Sequence, residues 1–117
     1  IRPYIMGRII DVEQFLAEYK CDPNEGDAVI ALDIADEVLP WNNRMFCVKF
    51  RQGRCTLTDE EPEHTLKMSI ATLTTLLLGY KTAAKLYKLD RIAAHPDAVA
   101  RLDDLLLHEM PYISDYI

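Results

Sequence analysis

The chain has 117 residues, 50% of them apolar and 27% charged, a balance that suits one globular domain with a core of its own. Thirteen Lys and Arg against nineteen Asp and Glu leave a net charge of −6, which argues against DNA or RNA as a partner, because phosphate binding needs basic residues massed on one surface. No apolar run approaches the roughly 18 residues of a membrane span and no basic stretch introduces a signal peptide, so no membrane partner is expected and the expected location is cytoplasmic.

The chain starts at Ile1 without an initiator methionine, and the expectation is a single domain over residues 1–117, excised from something longer. Cys21, Cys47 and Cys55 are odd in number and lack C-x-x-C spacing, so they read as reduced thiols rather than a disulfide framework or a zinc site. His64, His95 and His108 are scattered, and no metal is expected.

Met6 to Ile10 is a short apolar run ending at Asp11, which offers an N-cap oxygen with Gln14 at N3. Val12, Phe15, Leu16 and Tyr19 then share one helical face. Asp22 to Gly26 is turn chemistry. Ala28 to Ala35 is apolar on both parities, as expected for a central strand covered on both faces. Met45 to Phe50 and Arg54 to Thr58 flank Gln52 and Gly53, a two-residue hairpin loop that pairs Arg51 with Arg54, Phe50 with Cys55 and Val48 with Leu57. That register gathers Phe46, Val48, Phe50, Cys55 and Leu57 on one face and puts Cys47 on the other.

Asp59 to Glu63 reads as a solvated acidic turn, since it lacks an EF-hand pattern. Thr65 to Ser69 points Leu66 and Met68 inward as another strand, and Ser69 caps a helix carrying Ile70, Leu73, Leu76 and Leu77 that Gly79 stops. Thr82 caps the next helix, whose apolar face is Ala83, Leu86 and Tyr87. Pro96 suits N1 of a last helix with Val99, Leu102, Leu105 and Leu106 inward, Arg101, Asp103 and Asp104 toward water, and Pro111 as its end. The fold class is therefore α+β, a mixed or antiparallel sheet of about five strands covered by helices. Strict β-α alternation and the G-x-G-x-x-G and G-x-x-x-x-G-K-[ST] motifs are absent, which disfavours a nucleotide-binding fold. No G-x-S-x-G or other local nucleophile motif supplies an active site.

Three segments remain. Trp41, between Pro40 and the turn residues Asn42 and Asn43, reads as a core or edge anchor, with ligand contact as the alternative. The Leu- and Ala-rich helices from Met68 to Leu89 supply core, or else line an apolar cavity. The tail from Pro111 to Ile117 carries Tyr112, Ile113, Tyr116 and Ile117 and is too apolar to stand in water, so it is expected to pack on its own domain or on a partner domain.

Taken in order, Met6 to Leu16 with Arg8-Ile9-Ile10-Asp11-Val12, Pro40-Trp41-Asn42-Asn43, Leu66 to Ile92 with Leu76-Leu77-Leu78-Gly79-Tyr80, and the closing Pro111 to Ile117 resemble the C-terminal domain of Eis-like GNAT N-acetyltransferases. The resemblance implies a sterol-carrier-protein-like fold and, as partners, N-terminal GNAT domains of the same chain that hold acetyl-CoA, so that this fragment binds no cofactor and is no enzyme alone. It further implies that the carboxylate of Ile117, threaded into the GNAT site, serves as general base toward a cationic amine such as an aminoglycoside, polyamine or lysine, with Tyr116 and Asp115 at the edge of the substrate pocket. Trp41 joins them as a candidate substrate contact. A homo-oligomer is also implied. The competing readings are a stand-alone lipid or sterol carrier and an oligomerisation scaffold.

Overall fold

A computed structural model describes residues 4–5, 8–9, 11–23 and 26–106. Two short strands, β1 (Tyr4–Ile5) and β2 (Arg8–Ile9), pair antiparallel and lead into helix α1 (Val12–Glu18). The Asp11 carboxylate caps α1 by accepting from the Gln14 backbone N–H at 3.1 Å, as the sequence predicts. The expected face of α1 is the buried one: Val12, Phe15, Leu16 and Tyr19 are all at most 4% exposed.

The main sheet has five strands in the order β5-β4-β3-β6-β7. Its centre is β3 (Ala28–Ala35), antiparallel to β4 (Met45–Arg51) and parallel to β6 (His64–Ser69). β5 (Arg54–Leu57) pairs with β4 in the expected register, and the two-residue strand β7 (Ile92–Ala93), which no sequence signal marks, closes the other edge against β6. The hairpin loop needs two left-handed residues, and Gln52 (φ 52°) and Gly53 (φ 80°) supply them.

Alternation sorts the sheet into two unlike faces. Ala28, Ile30, Leu32 and Ile34 of β3 line up with Phe46, Val48 and Phe50 of β4 and with Leu66 and Met68 of β6, and all of these join one core cluster with the helices. Val29 and Ala31 are buried on the opposite face but lie outside that cluster, beside their register partners Lys49, Cys47 and Thr65. β3 is central as expected, but only one of its faces joins the core cluster with the helices, so the expected cover on both faces is not what the sheet shows. The domain has two layers, an open mixed α+β sheet with helices packed on one side.

Helix α2 (Ile70–Leu77) follows β6 directly, capped by the Ser69 hydroxyl at 3.1 Å from the Thr72 N–H. It ends in a Schellman turn, with the Gly79 N–H donating to the Leu76 carbonyl and the Tyr80 N–H to the Thr75 carbonyl, and Gly79 provides the required positive φ of 83°. Helix α3 (Ala83–Lys88) is capped by Thr82, and helix α4 (Pro96–Leu105) opens with proline at N1. α4 stops before Pro111, because Leu106 turns extended (φ −85°, ψ 144°), forms a bridge with Cys21 and buries its side chain. The segment after α1 lies along the β5 edge: Lys20 pairs with Arg54, and the Cys21 N–H donates to the Gly53 carbonyl at 2.9 Å.

Candidate functional site

The loop between β3 and β4 is built around two buried polar side chains. Asp36, 4% exposed, accepts through Oδ1 from the Val38 and Leu39 N–H groups at 3.0 and 3.1 Å, an Asx-type turn that folds the chain back after the strand. Its Oδ2 accepts from Asn42 Nδ2 at 3.1 Å, and the fully buried Asn42 in turn offers Oδ1 to the Val12 N–H at 3.0 Å. Asn43 Oδ1 accepts from the Asp36 N–H at 3.0 Å. One network therefore fixes the loop, the single-turn 3-10 segment Pro40–Asn42 and the N-terminus of α1 relative to each other.

Of the two placements expected of Trp41, core or edge anchor, the core one is not observed. Asn42 is the anchor, because its amide satisfies both a backbone donor and a carboxylate, whereas Trp41 is 53% exposed at the turn's outer side. Val38 and Met45, on the same loop and at the start of β4, are exposed as well.

A groove of about 380 Å³ lies where α2 hands over to α3, with Leu76 and Leu106 as apolar lining and Tyr80, Lys81, Thr82 and Lys85 around them. Each α-helix N-terminus carries an internal cap, from Asp11, Ser69, Thr82 and the His95 imidazole. α3 has a second: the Asp103 carboxylate, expected to face water, accepts from the Ala83 and Ala84 N–H groups at 2.7 and 2.9 Å. Each of these caps satisfies one of the free N–H groups at its helix start, and Asp103 satisfies two more at α3.

Cys21 and Cys55 meet on the covered face of β5, both 2% exposed and both free thiols. The bridge between Lys20 and Arg54 places Cys21 across from Gly53, and so diagonal to Cys55. Hydrogen bonding to Cys55 pushes the Cys21 thiol down, and the same contact together with burial pushes Cys55 up. Cys47 is half-buried on the other face, as the predicted register requires. Among the described residues no group of three or more His, Cys, Asp or Glu is placed to hold a metal ion, and no helix is long and apolar enough to cross a membrane.

Of the residues expected to carry function, Trp41 is on an exposed turn, while Asp115, Tyr116 and Ile117 lie outside the described residues. Sequence reading missed Asp36, Asn42 and Asp103. For Asp36 a signal was available, an Asp immediately past a strand and before a Pro-containing turn.

A sterol carrier protein domain model matches residues 12–114. Among solved structures, a conserved protein of unknown function from Enterococcus faecalis V583, described as a probable N-acyltransferase, is 30% identical with a TM-score of 0.80, over 88% of this chain and 26% of that one. Eis1 from Mycobacterium abscessus is 25% identical with a TM-score of 0.67, over 84% of this chain and 24% of that one. A GCN5-related N-acetyltransferase from Anabaena variabilis ATCC 29413, 21% identical with a TM-score of 0.78 over 88% of this chain and 26% of that one, shares the fold. The chain spans about a quarter of the length of these structures. No curated protein matches it.

Proposed function

This chain belongs to the sterol carrier protein domain family, and we propose that it is the C-terminal domain of a longer, Eis-like GNAT N-acetyltransferase that transfers acetyl from acetyl-CoA to a cationic amine. The observation that carries the reading is 30% identity, over 88% of this chain, to a protein described as a probable N-acyltransferase of which the chain spans only 26%. The likeness to Eis1 supports the finer assignment. On this reading N-terminal GNAT domains of the same polypeptide supply what the fragment lacks, and the whole protein works in the cytoplasm as a homo-oligomer.

Acetyl-CoA, when bound, supplies an activated thioester carbonyl. On this reading cofactor binding belongs to the GNAT domains. The chain's own contribution is at the acceptor side. The Ile117 carboxylate, desolvated in a cleft, takes the proton that an ammonium substrate must lose before its nitrogen becomes a nucleophile. Asp115 and Tyr116 border the amine, and the net charge of −6 favours approach of a cation.

The test is acetylation of a polyamine or aminoglycoside by the full-length protein, followed through release of the coenzyme thiol, with and without Tyr116 and Ile117. Loss of turnover with an unchanged circular dichroism spectrum is the expected result. Full activity after the truncation would remove the carboxylate from the mechanism, and no acetylation by the intact protein would remove the reading itself.

A further inference from the structure

We propose that Cys21 and Cys55 are a reversible dithiol–disulfide pair, a redox-sensitive staple between the segment after α1 and the β4–β5 hairpin that a small hydroperoxide closes. The inference uses only groups within this domain and so does not depend on the acetyltransferase reading. Of the three cysteines, two share one place: the bridge between Lys20 and Arg54 sets Cys21 diagonal to Cys55, and both are buried. The Cys21 thiol donates to the Arg54 carbonyl, with Sγ 3.6 Å from the oxygen, which turns its sulfur toward the residue next to Cys55. The two thiols are in hydrogen-bonding contact, so closing them to a bond of about 2 Å asks for a short approach of side chains.

A buried cysteine by itself is usually a small apolar side chain, inert to oxidants. This pair differs in access and in chemistry. A groove of about 300 Å³ is lined by Lys20, Cys21, Pro23, Gln52, Gly53 and Arg54, so an oxidant reaches the pair from the Cys21 side. Cys21 is also the thiol pushed down and Cys55 the one pushed up, which makes Cys21 the attacking sulfur and Cys55 the resolving one.

With hydrogen peroxide, the Cys21 thiolate attacks one oxygen, the O–O bond breaks, and the other oxygen leaves as hydroxide and takes up the proton that Cys21 gave up. The sulfenic acid on Cys21 is then attacked by the Cys55 sulfur. The S–S bond forms, the S–O bond breaks, and the hydroxyl departs with the Cys55 proton as water. The two thiols have lost two electrons and two protons, and the peroxide is reduced to two waters.

The staple falls at a junction. The Cys21 N–H donates to the Gly53 carbonyl at 2.9 Å, the Asp22 N–H to the Leu105 carbonyl at 2.8 Å, and Cys21 bridges Leu106, so this segment joins the hairpin to the end of α4. A disulfide makes the hairpin side of that junction covalent. Cys47, half-buried on the opposite face of the sheet, is turned away from both thiols and serves as the internal control.

The experiment treats the reduced full-length protein with equimolar hydrogen peroxide, unfolds it in urea with N-ethylmaleimide, and maps the unreduced digest by mass spectrometry. The expected product joins the Cys21 and Cys55 peptides, is separated again by dithiothreitol, and leaves maleimide on Cys47. In Cys55→Ala, dimedone should capture a sulfenic acid at Cys21 that it does not capture when Cys55 is present. Hydrogen exchange at the Cys21 and Asp22 amides should slow on oxidation and recover on reduction. Maleimide on both Cys21 and Cys55 after peroxide would overturn the proposal, as would a disulfide that takes in Cys47. Unchanged exchange in protein that carries the Cys21–Cys55 link would overturn the staple.

Discussion

Replacing Asn42 with Ala should be among the most damaging changes open to a residue of this loop. Two buried hydrogen bonds depend on it, from its Nδ2 to Asp36 Oδ2 at 3.1 Å and from the Val12 N–H to its Oδ1 at 3.0 Å. Stranding a buried backbone donor costs about 1–3 kcal/mol, and removing a donor from a carboxylate about 1.5–3 kcal/mol. Asp36 keeps the Val38 and Leu39 N–H groups, so the lower half of the combined range applies, about 3 kcal/mol. At roughly 2.1 cal/mol/K per residue, 117 residues unfold with about 250 cal/mol/K, and the loss translates to a drop in Tm of about 12 °C. Urea titrations followed by far-ultraviolet circular dichroism would measure it. The control is Trp41→Ala, one residue away and 53% exposed, which should cost about 1 kcal/mol or less. Equal losses at the two positions, or a loss below about 1 kcal/mol at Asn42, would refute the assignment of the anchor role to the asparagine.

Asp103→Ala removes the carboxylate that accepts from the Ala83 and Ala84 N–H groups of α3 and should destabilise by about 1–2 kcal/mol in the same titration, with Asp103→Asn recovering part of the loss. Asp90→Gly should stabilise by about 0.5 kcal/mol: Asp90 sits at φ 58° past the end of α3, and a glycine relieves that strain while giving back some of the gain as unfolded-state entropy. Lys49 Nζ, 2.8 Å from Glu60 Oε2, holds the Glu60 carboxyl below its ordinary range. A depressed folded value means that the contribution is present above the ordinary carboxylate pKa and is lost as pH falls through the folded one. Lys49→Met should raise the Glu60 titration midpoint seen by carbon-13 nuclear magnetic resonance while leaving stability at neutral pH nearly unchanged, since the pair is exposed.

Local chemistry was the readable part of this fold. Asp11, Ser69 and Thr82 cap the helices they precede, Gly79 ends α2, and the Gln52–Gly53 loop sets the β4–β5 register, each because a short-range backbone requirement selects the residue type. Non-local pairings were not readable. The two-residue β7 has too little sequence to show a period, and it exists because Ile92 and Ala93 complete the ladder of β6. Asp103 looked like a solvent-facing acid on the polar side of α4, and only the packing of α4 against α3 brings its carboxylate to Ala83 and Ala84. The exposed tryptophan and the buried asparagine beside it reverse the usual ranking by residue type, since a hydrogen-bond inventory rather than hydrophobicity decides which of them lies inside.

The same inventory bears on what a sterol carrier protein domain does in this chain. A carrier needs an enclosed apolar volume of several hundred cubic ångströms, and the helix pair that would line it here is α2 with α3. Leu73, Leu77 and Leu86 from that pair lie within the single core cluster, between 0 and 3% exposed, and Leu76, 4% exposed, belongs to the cluster and also borders the groove between α2 and α3. Opening a cavity at their expense would forfeit about 1.5–3 kcal/mol for each side chain displaced. The groove beside them is bordered instead by Lys81, Thr82 and Lys85. Apolar residues committed to holding helices on a sheet make a rigid frame.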